Sequence, residues 1–86
     1  MQQDAYNREK FYHAIYSMAI STETIKQRLQ DAWTHHLSDV HTENMPEGVQ
    51  AEFRELKKRL TQISSMSDQE VDAVIRQIVG MYHQIT

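Results

Sequence analysis

Glycine and proline are nearly missing from this chain, and their scarcity constrains the fold more than any other feature. Gly48, Gly80 and Pro46 are the only ones in 86 residues. A fold of many strands needs frequent tight turns, which these residue types favour, so the sequence argues against such a fold. Good helix formers are abundant instead, because they lose little side-chain freedom on a helix. The sequence therefore predicts a few long helices.

Four segments of the chain have helical periodicity. Apolar residues recur every three or four positions within residues 4–20, 21–41, 46–63 and 67–85. A chain of this length supports one core, so we expect a single helical domain over residues 1–86. Short connections favour antiparallel neighbours, which predicts an all-α, up-down bundle of about four helices. The alternative is a helical hairpin whose bundle is completed by homodimerisation.

Two of the predicted helices have recognisable start signals. For the second segment, Ser21 is the expected N-cap, and Ile20 and Ile25 occupy the positions of a hydrophobic staple. For the fourth segment, Ser67 and Glu70 have the spacing of a capping box, in which each side chain accepts from the other residue's backbone N–H. These signals predict helix starts at residues 21 and 67.

The third segment has the narrowest apolar face. Pro46 suits a first helical turn, where its missing N–H costs nothing. Charged and polar residues flank the face on both sides, so we expect this helix to be the outermost and most solvated. The apolar positions follow spacings of four and three residues: Val49, Phe53, Leu56, Leu60 and Ile63.

The first and fourth segments carry more apolar surface than one small bundle obviously needs. On the first segment, Phe11 and Ile15 belong to one apolar face, and Tyr12 and Tyr16 repeat the same spacing one residue along, which makes the face unusually broad. Tyrosine and methionine are enriched where proteins meet. We therefore expect a protein-binding surface, the alternative being that the same residues are core. Its predicted members are Tyr12, Tyr16, Val74, Val79 and Met81.

Composition and charge limit the classes of function. The chain has no cysteine, which excludes disulfides and thiolate metal sites. The first residues lack a secretory signal, and no apolar run approaches the roughly 20 residues that span a bilayer, so we expect a cytoplasmic protein. No set of residues meets the requirements for catalysis. These observations predict a non-enzymatic protein–protein interaction module, such as a small regulator, inhibitor or adaptor, with no cofactor.

Histidines are frequent in the second segment. His36 falls in the middle of its apolar face, so we expect a core-edge residue, with a pH-sensitive or groove-lining role as the functional alternative. His35 and His41 are expected on a solvated face. Neighbouring carboxylates make a surface metal clip sterically possible, but no zinc-binding spacing is present, so no metal site is predicted.

A nucleic-acid-associated regulator is the alternative function. Its candidate residues are Arg54, Lys57 and Lys58 on the third segment. The net charge of −3 is unfavourable for phosphate binding, which depends on lysine and arginine. Glutamates interleaved with these cations dilute the patch further. Nucleic acid is therefore the less favoured partner.

Overall fold

Four α-helices account for most of the computed structural model, which describes residues 2–85 and the side chains of residues 5–85. They are α1 (Gln2–Ile20), α2 (Ile25–His35), α3 (Glu47–Leu60) and α4 (Asp68–Ile85). The connections contain short 3-10 turns at Leu37–Asp39, Thr42–Asn44 and Ile63–Ser65. Residues 2–85 contain no strand, which confirms the predicted all-α bundle. Within the same residues, none of the helices is both long and apolar enough to cross a lipid bilayer.

Three of the helices form the centre of the bundle. α1, α2 and α4 pack against one another, whereas α3 packs on α4 and on the turn at Thr42–Asn44. The outer position of α3 agrees with its narrow apolar face. α3 also approaches α1 through Phe53 and Phe11, whose ring centres are 5.9 Å apart. The radius of gyration is 12.1 Å, close to the value of about 12 Å that is typical of a folded chain of this length.

The helices enclose one apolar core. The largest side chains that it buries completely come from all four helices and from the connection after α2. They are Phe11, Leu29, Leu37, Phe53, Leu56, Leu60, Val71, Val74, Ile78 and Met81.

The buried face of α1 is narrower than its sequence suggests. Phe11, Ala14 and Met18 are buried, and Asn7 continues their spacing toward the N-terminus. Ile15 is half-buried. Because α1 buries only this stripe, the tyrosines on its other apolar face are left at the surface.

The start of α2 differs from the prediction. The N-cap is Thr24, not Ser21, and its hydroxyl accepts from the N–H of Gln27 at 3.2 Å. The Ser21 hydroxyl instead accepts from the N–H of Glu23 at 3.1 Å, which stabilises a local turn. The predicted staple is therefore wrong as well, because a cap at Thr24 moves the staple positions and leaves Ile20 61% exposed.

The end of α2 also differs, because the helix stops at His35 rather than near residue 41. The Ser38 hydroxyl donates to the carbonyl of Thr34 at 3.1 Å, which engages an acceptor that a continuing helix would use. We call residues 36–46 the α2–α3 connection. It turns back over α1 and buries three apolar side chains, which compensates for the lost helical turn. They are Leu37, Val40 and Met45.

The last two helices begin close to their predicted positions. Pro46 immediately precedes α3, which ends at Leu60 rather than at residue 63 because Ile63 enters the core from a 3-10 turn. The capping box of α4 is confirmed. Glu70 accepts from the N–H of Ser67 at 2.8 Å, and Ser67 accepts from the N–H of Glu70 at 3.2 Å.

Candidate functional site

An apolar groove, open to solvent, runs between α1 and α4. It joins two cavities of about 310 and 360 Å³ that share Ile15, Ala19 and Val79. We call this feature the α1–α4 groove. Its apolar and aromatic lining consists of Tyr12, Ile15, Tyr16, Met18, Ala19, Ile25, Ile75, Val79 and Tyr82.

Two tyrosines project from α1 beside the groove. Tyr12 is 51% exposed and Tyr16 is 52% exposed. They lie one helical turn apart, and their rings are nearly parallel, with centres 6.2 Å apart. The stacked pair forms an aromatic wall of the groove. Both of these predicted binding residues are therefore accessible to a partner.

One end of the groove is polar. Arg28 and Asp72 line it there. The guanidinium of Arg28 donates to the carbonyl of Glu23 at 2.8 Å. Asp72 accepts from Arg76 at 2.8 Å, and this hydrogen bond raises the pKa of Arg76. Both charged groups at this end therefore have partners within the chain, and the rest of the groove is lined by apolar and aromatic residues, apart from His83 at the opposite end.

The α4 wall differs from the sequence-based expectation. The prediction that Val74 and Met81 form spare apolar surface is wrong, because both are completely buried. Val79 does line the groove, where it is half-buried. The four-and-three spacing of Val71, Ile75, Ile78 and Tyr82 predicts that all four face the core. Ile75 and Tyr82 are only half-buried, and they line the groove while packing against the edge of the core. The face of α4 that enters the core is thus the neighbouring one, which includes Val74, Ile78 and Met81.

A second concentration of interactions joins α1 to the α2–α3 connection. Asn7 is 2% exposed, and its side-chain amide forms two hydrogen bonds with the backbone of His41. The amide nitrogen donates to the His41 carbonyl at 2.9 Å, and the amide oxygen accepts from the His41 N–H at 2.9 Å. The rings of Tyr6 and His41 stack with centres 4.5 Å apart. Sequence reasoning missed this contact. The available signal was that Asn7 lies four residues before Phe11 and therefore on the buried face of α1.

His36 lies at this same junction, where it is half-buried as expected of a core-edge residue. Its ring stacks on that of His13, with centres 6.1 Å apart, and approaches His35 at 6.5 Å. Burial is the main cause that lowers the pKa of His36, and the nearby His13, His35 and Lys10 lower it further. Asp39 acts in the opposite direction. Within residues 2–85, no group of three or more histidine or acidic side chains is placed to hold a metal ion.

The basic residues of α3 are exposed, and each has an interaction within the chain. Arg54 donates to the side-chain amide of Gln50 at 3.3 Å, and Lys58 pairs with Glu55 at 3.3 Å. The Lys57 ammonium lies 6.0 Å from the centre of the Phe53 ring. These contacts are weak at an exposed site and leave the cations accessible.

Comparison of the chain with known protein families, with curated proteins and with solved structures gave no match.

Proposed function

We propose that this chain is a non-enzymatic protein-binding module, a small regulator, inhibitor or adaptor that acts in the cytoplasm. Its binding surface is the α1–α4 groove, and the occupant is an amphipathic helix of another protein. The observation that carries the proposal is the stacked pair Tyr12 and Tyr16, half-exposed beside an apolar groove. Tyrosines in such positions are typical of interface anchors.

The core does not account for these tyrosines. The apolar core is closed by other residues of the four helices, so the tyrosine rings are not needed to fill it. Leaving two aromatic rings half in water forgoes the free energy that their burial would contribute. A partner that covers Tyr12 and Tyr16 recovers that contribution.

The shape of the groove supports a helical occupant. α1 and α4 form its two long walls, and Ile25 and Arg28 of α2 line one end. A partner helix packs into such a groove through apolar residues spaced three and four apart. The nearly uncharged lining favours an apolar stripe on the partner. Arg28 and Asp72 at one end favour polar residues where the partner helix leaves the groove.

The test compares the wild-type chain with two variants in affinity capture from the native host. The groove variant is Tyr12→Ala/Tyr16→Ala. The matched surface variant, Arg54→Ala/Lys57→Ala/Lys58→Ala, changes exposed residues on α3. We expect the groove variant to lose a protein that the wild type and the α3 variant both retain, with unchanged helicity by circular dichroism.

The captured protein is then purified and titrated against the three chains by calorimetry, and a photoreactive side chain at position 16 locates the contact. Equal affinity of the groove variant and the wild type would remove the basis of the proposal, as would unfolding of the groove variant. Sedimentation of the purified chain reports whether a second copy is the occupant instead. The α3 variant also tests the alternative of nucleic-acid binding, which predicts salt-sensitive duplex binding that this variant loses.

A further inference from the structure

Four of the five histidines of the chain lie where α1 meets the α2–α3 connection. His13 comes from α1, His35 is the last residue of α2, and His36 and His41 belong to the connection. The ring of His36 is the centre of the group, because it stacks on His13 and approaches His35. His41 is close by in the chain and stacks on Tyr6 of α1. We call these residues the histidine cluster.

Charged groups face His36 from each element around it. Lys10 and His13 face it from α1, His35 from α2, and Asp39 from the connection. Asp39 is the anion of this group, but it already forms an ion pair with Lys10 at 3.7 Å. Protonation of His36 therefore adds positive charge beside a lysine, and the carboxylate that faces it, Asp39, is already paired.

The connection is held to α1 at this same place. Both hydrogen bonds of Asn7 to His41, the stacking of Tyr6 on His41 and the pair of Lys10 with Asp39 cross the junction. We propose that protonation of His36, beside His13 and Lys10, weakens the contact between the α2–α3 connection and α1, so the junction is a pH-sensitive contact that opens more often as the pH falls below neutral.

The direction follows from proton linkage. The pKa of His36 is lower in the folded chain than the ordinary value of 6.5, chiefly because of burial and of the neighbouring His13. The closed form therefore binds fewer protons than the open form between these two values. Its stabilisation is fully present above pH 6.5 and is lost as the pH falls through the lowered pKa of His36.

Opening changes the surface of the molecule. The connection contributes Leu37, Val40 and Met45 to the core, and all three are buried in the closed form. Opening exposes these apolar side chains at a place separate from the α1–α4 groove. This proposal does not depend on the one made for the groove, because it concerns a different face of α1.

Amide hydrogen exchange tests the proposal in the full chain. The reporter is the His41 N–H, which donates a hydrogen bond to the side-chain oxygen of Asn7. The reference is the N–H of Ile78, a residue of α4 that is buried in the core. After correction for intrinsic rates, we expect the protection factor of the reporter to fall about tenfold between about pH 7.5 and pH 5.0 while the reference changes little. Constant protection of His41 would overturn the proposal. A parallel fall at Ile78 would also overturn it, because the whole chain would then be unfolding.

Two variants assign the effect to the cluster. His13→Gln/His36→Gln should remove the pH response of the His41 amide, whereas His83→Gln on α4 should keep it. An unchanged response in the double variant contradicts the proposal. If that variant does not fold, the wild type still decides, because the protection of the His41 amide must fall over the same pH range in which the ring resonance of His36 changes. A His41 amide that does not follow the His36 ring refutes the mechanism.

Discussion

The side-chain amide of Asn7 satisfies both backbone groups of His41, donating to the carbonyl and accepting from the N–H, each at 2.9 Å. One buried side chain thereby fixes the position of a connection 34 residues away in the chain. The pairing is specific, because an amide offers one donor and one acceptor in a fixed plane.

Replacement of Asn7 by alanine tests that pairing. We expect Asn7→Ala to lower the free energy of unfolding by about 2 kcal/mol, since two backbone groups lose their partners in a partly buried place. Urea denaturation followed by circular dichroism measures the change. Asn7→Asp is the matched control, because its carboxylate still accepts from the N–H of His41 but no longer donates to the carbonyl. A stability of Asn7→Ala equal to that of the wild type would show that the connection is held by its apolar residues alone.

Gly80 lies within α4, where a glycine is unfavourable. Its backbone does not have a positive φ, and a Cβ built at this position meets nothing within 4 Å. We therefore expect Gly80→Ala to raise the free energy of unfolding by up to about 1 kcal/mol, because alanine restricts the unfolded chain and favours the helix. Thermal unfolding provides the measurement. A lower melting temperature for this variant would contradict the open space found around Gly80.

The capping box of α4 predicts a specific acid dependence. Hydrogen bonds from the backbone and the hydroxyl of Ser67 lower the pKa of Glu70 below its ordinary value of 4.5. The stabilisation is therefore complete above pH 4.5 and is lost as the pH falls through the lowered pKa. Glu70→Gln retains an acceptor that does not titrate in this range. We expect the melting temperature of the wild type to fall more than that of Glu70→Gln between about pH 6 and pH 3. Parallel curves would show that the Glu70 carboxylate does not contribute.

Core and groove aromatics should respond differently to truncation. Phe53 is completely buried against Phe11, so Phe53→Ala should lower the free energy of unfolding by about 4 kcal/mol. Tyr16 is half-exposed, so Tyr16→Ala should change it by less than about 1 kcal/mol. Chemical denaturation of both variants makes the comparison. A large loss for Tyr16→Ala would assign this ring a structural role and weaken its assignment to a binding surface.

Sequence patterns predict the fold class and the start of α4 well, because both depend on local interactions. The Ser67 and Glu70 pair is a local signal, and it forms as expected. The start of α2 was not decided by local signals, since Ser21 and Thr24 are both competent caps and the structure uses the second. Local reasoning could not choose between two caps whose positions differ by less than one helical turn.

The groove was harder to predict because α4 has two overlapping apolar seams. Periodicity favoured the seam that contains Ile75 and Tyr82, but the core takes the one that contains Val74 and Met81. The two seams differ by one residue along α4, so a rotation of the helix about its axis would bring either of them to face the core. Only packing against α1 and α2 decides between them. The role of Asn7 also depends on a contact distant in the sequence. Such contacts leave no periodic pattern.

The α2–α3 connection places Leu37, Val40 and Met45 in the core, which matters for anyone who modifies this chain. A reporter, an affinity tag or a new pair of chain ends inserted there would displace buried side chains. The turn after α3 is the better location, because Thr61 and Gln62 are both exposed. The longer of these two connections is thus the one that tolerates insertion least, since it is built as part of the interior.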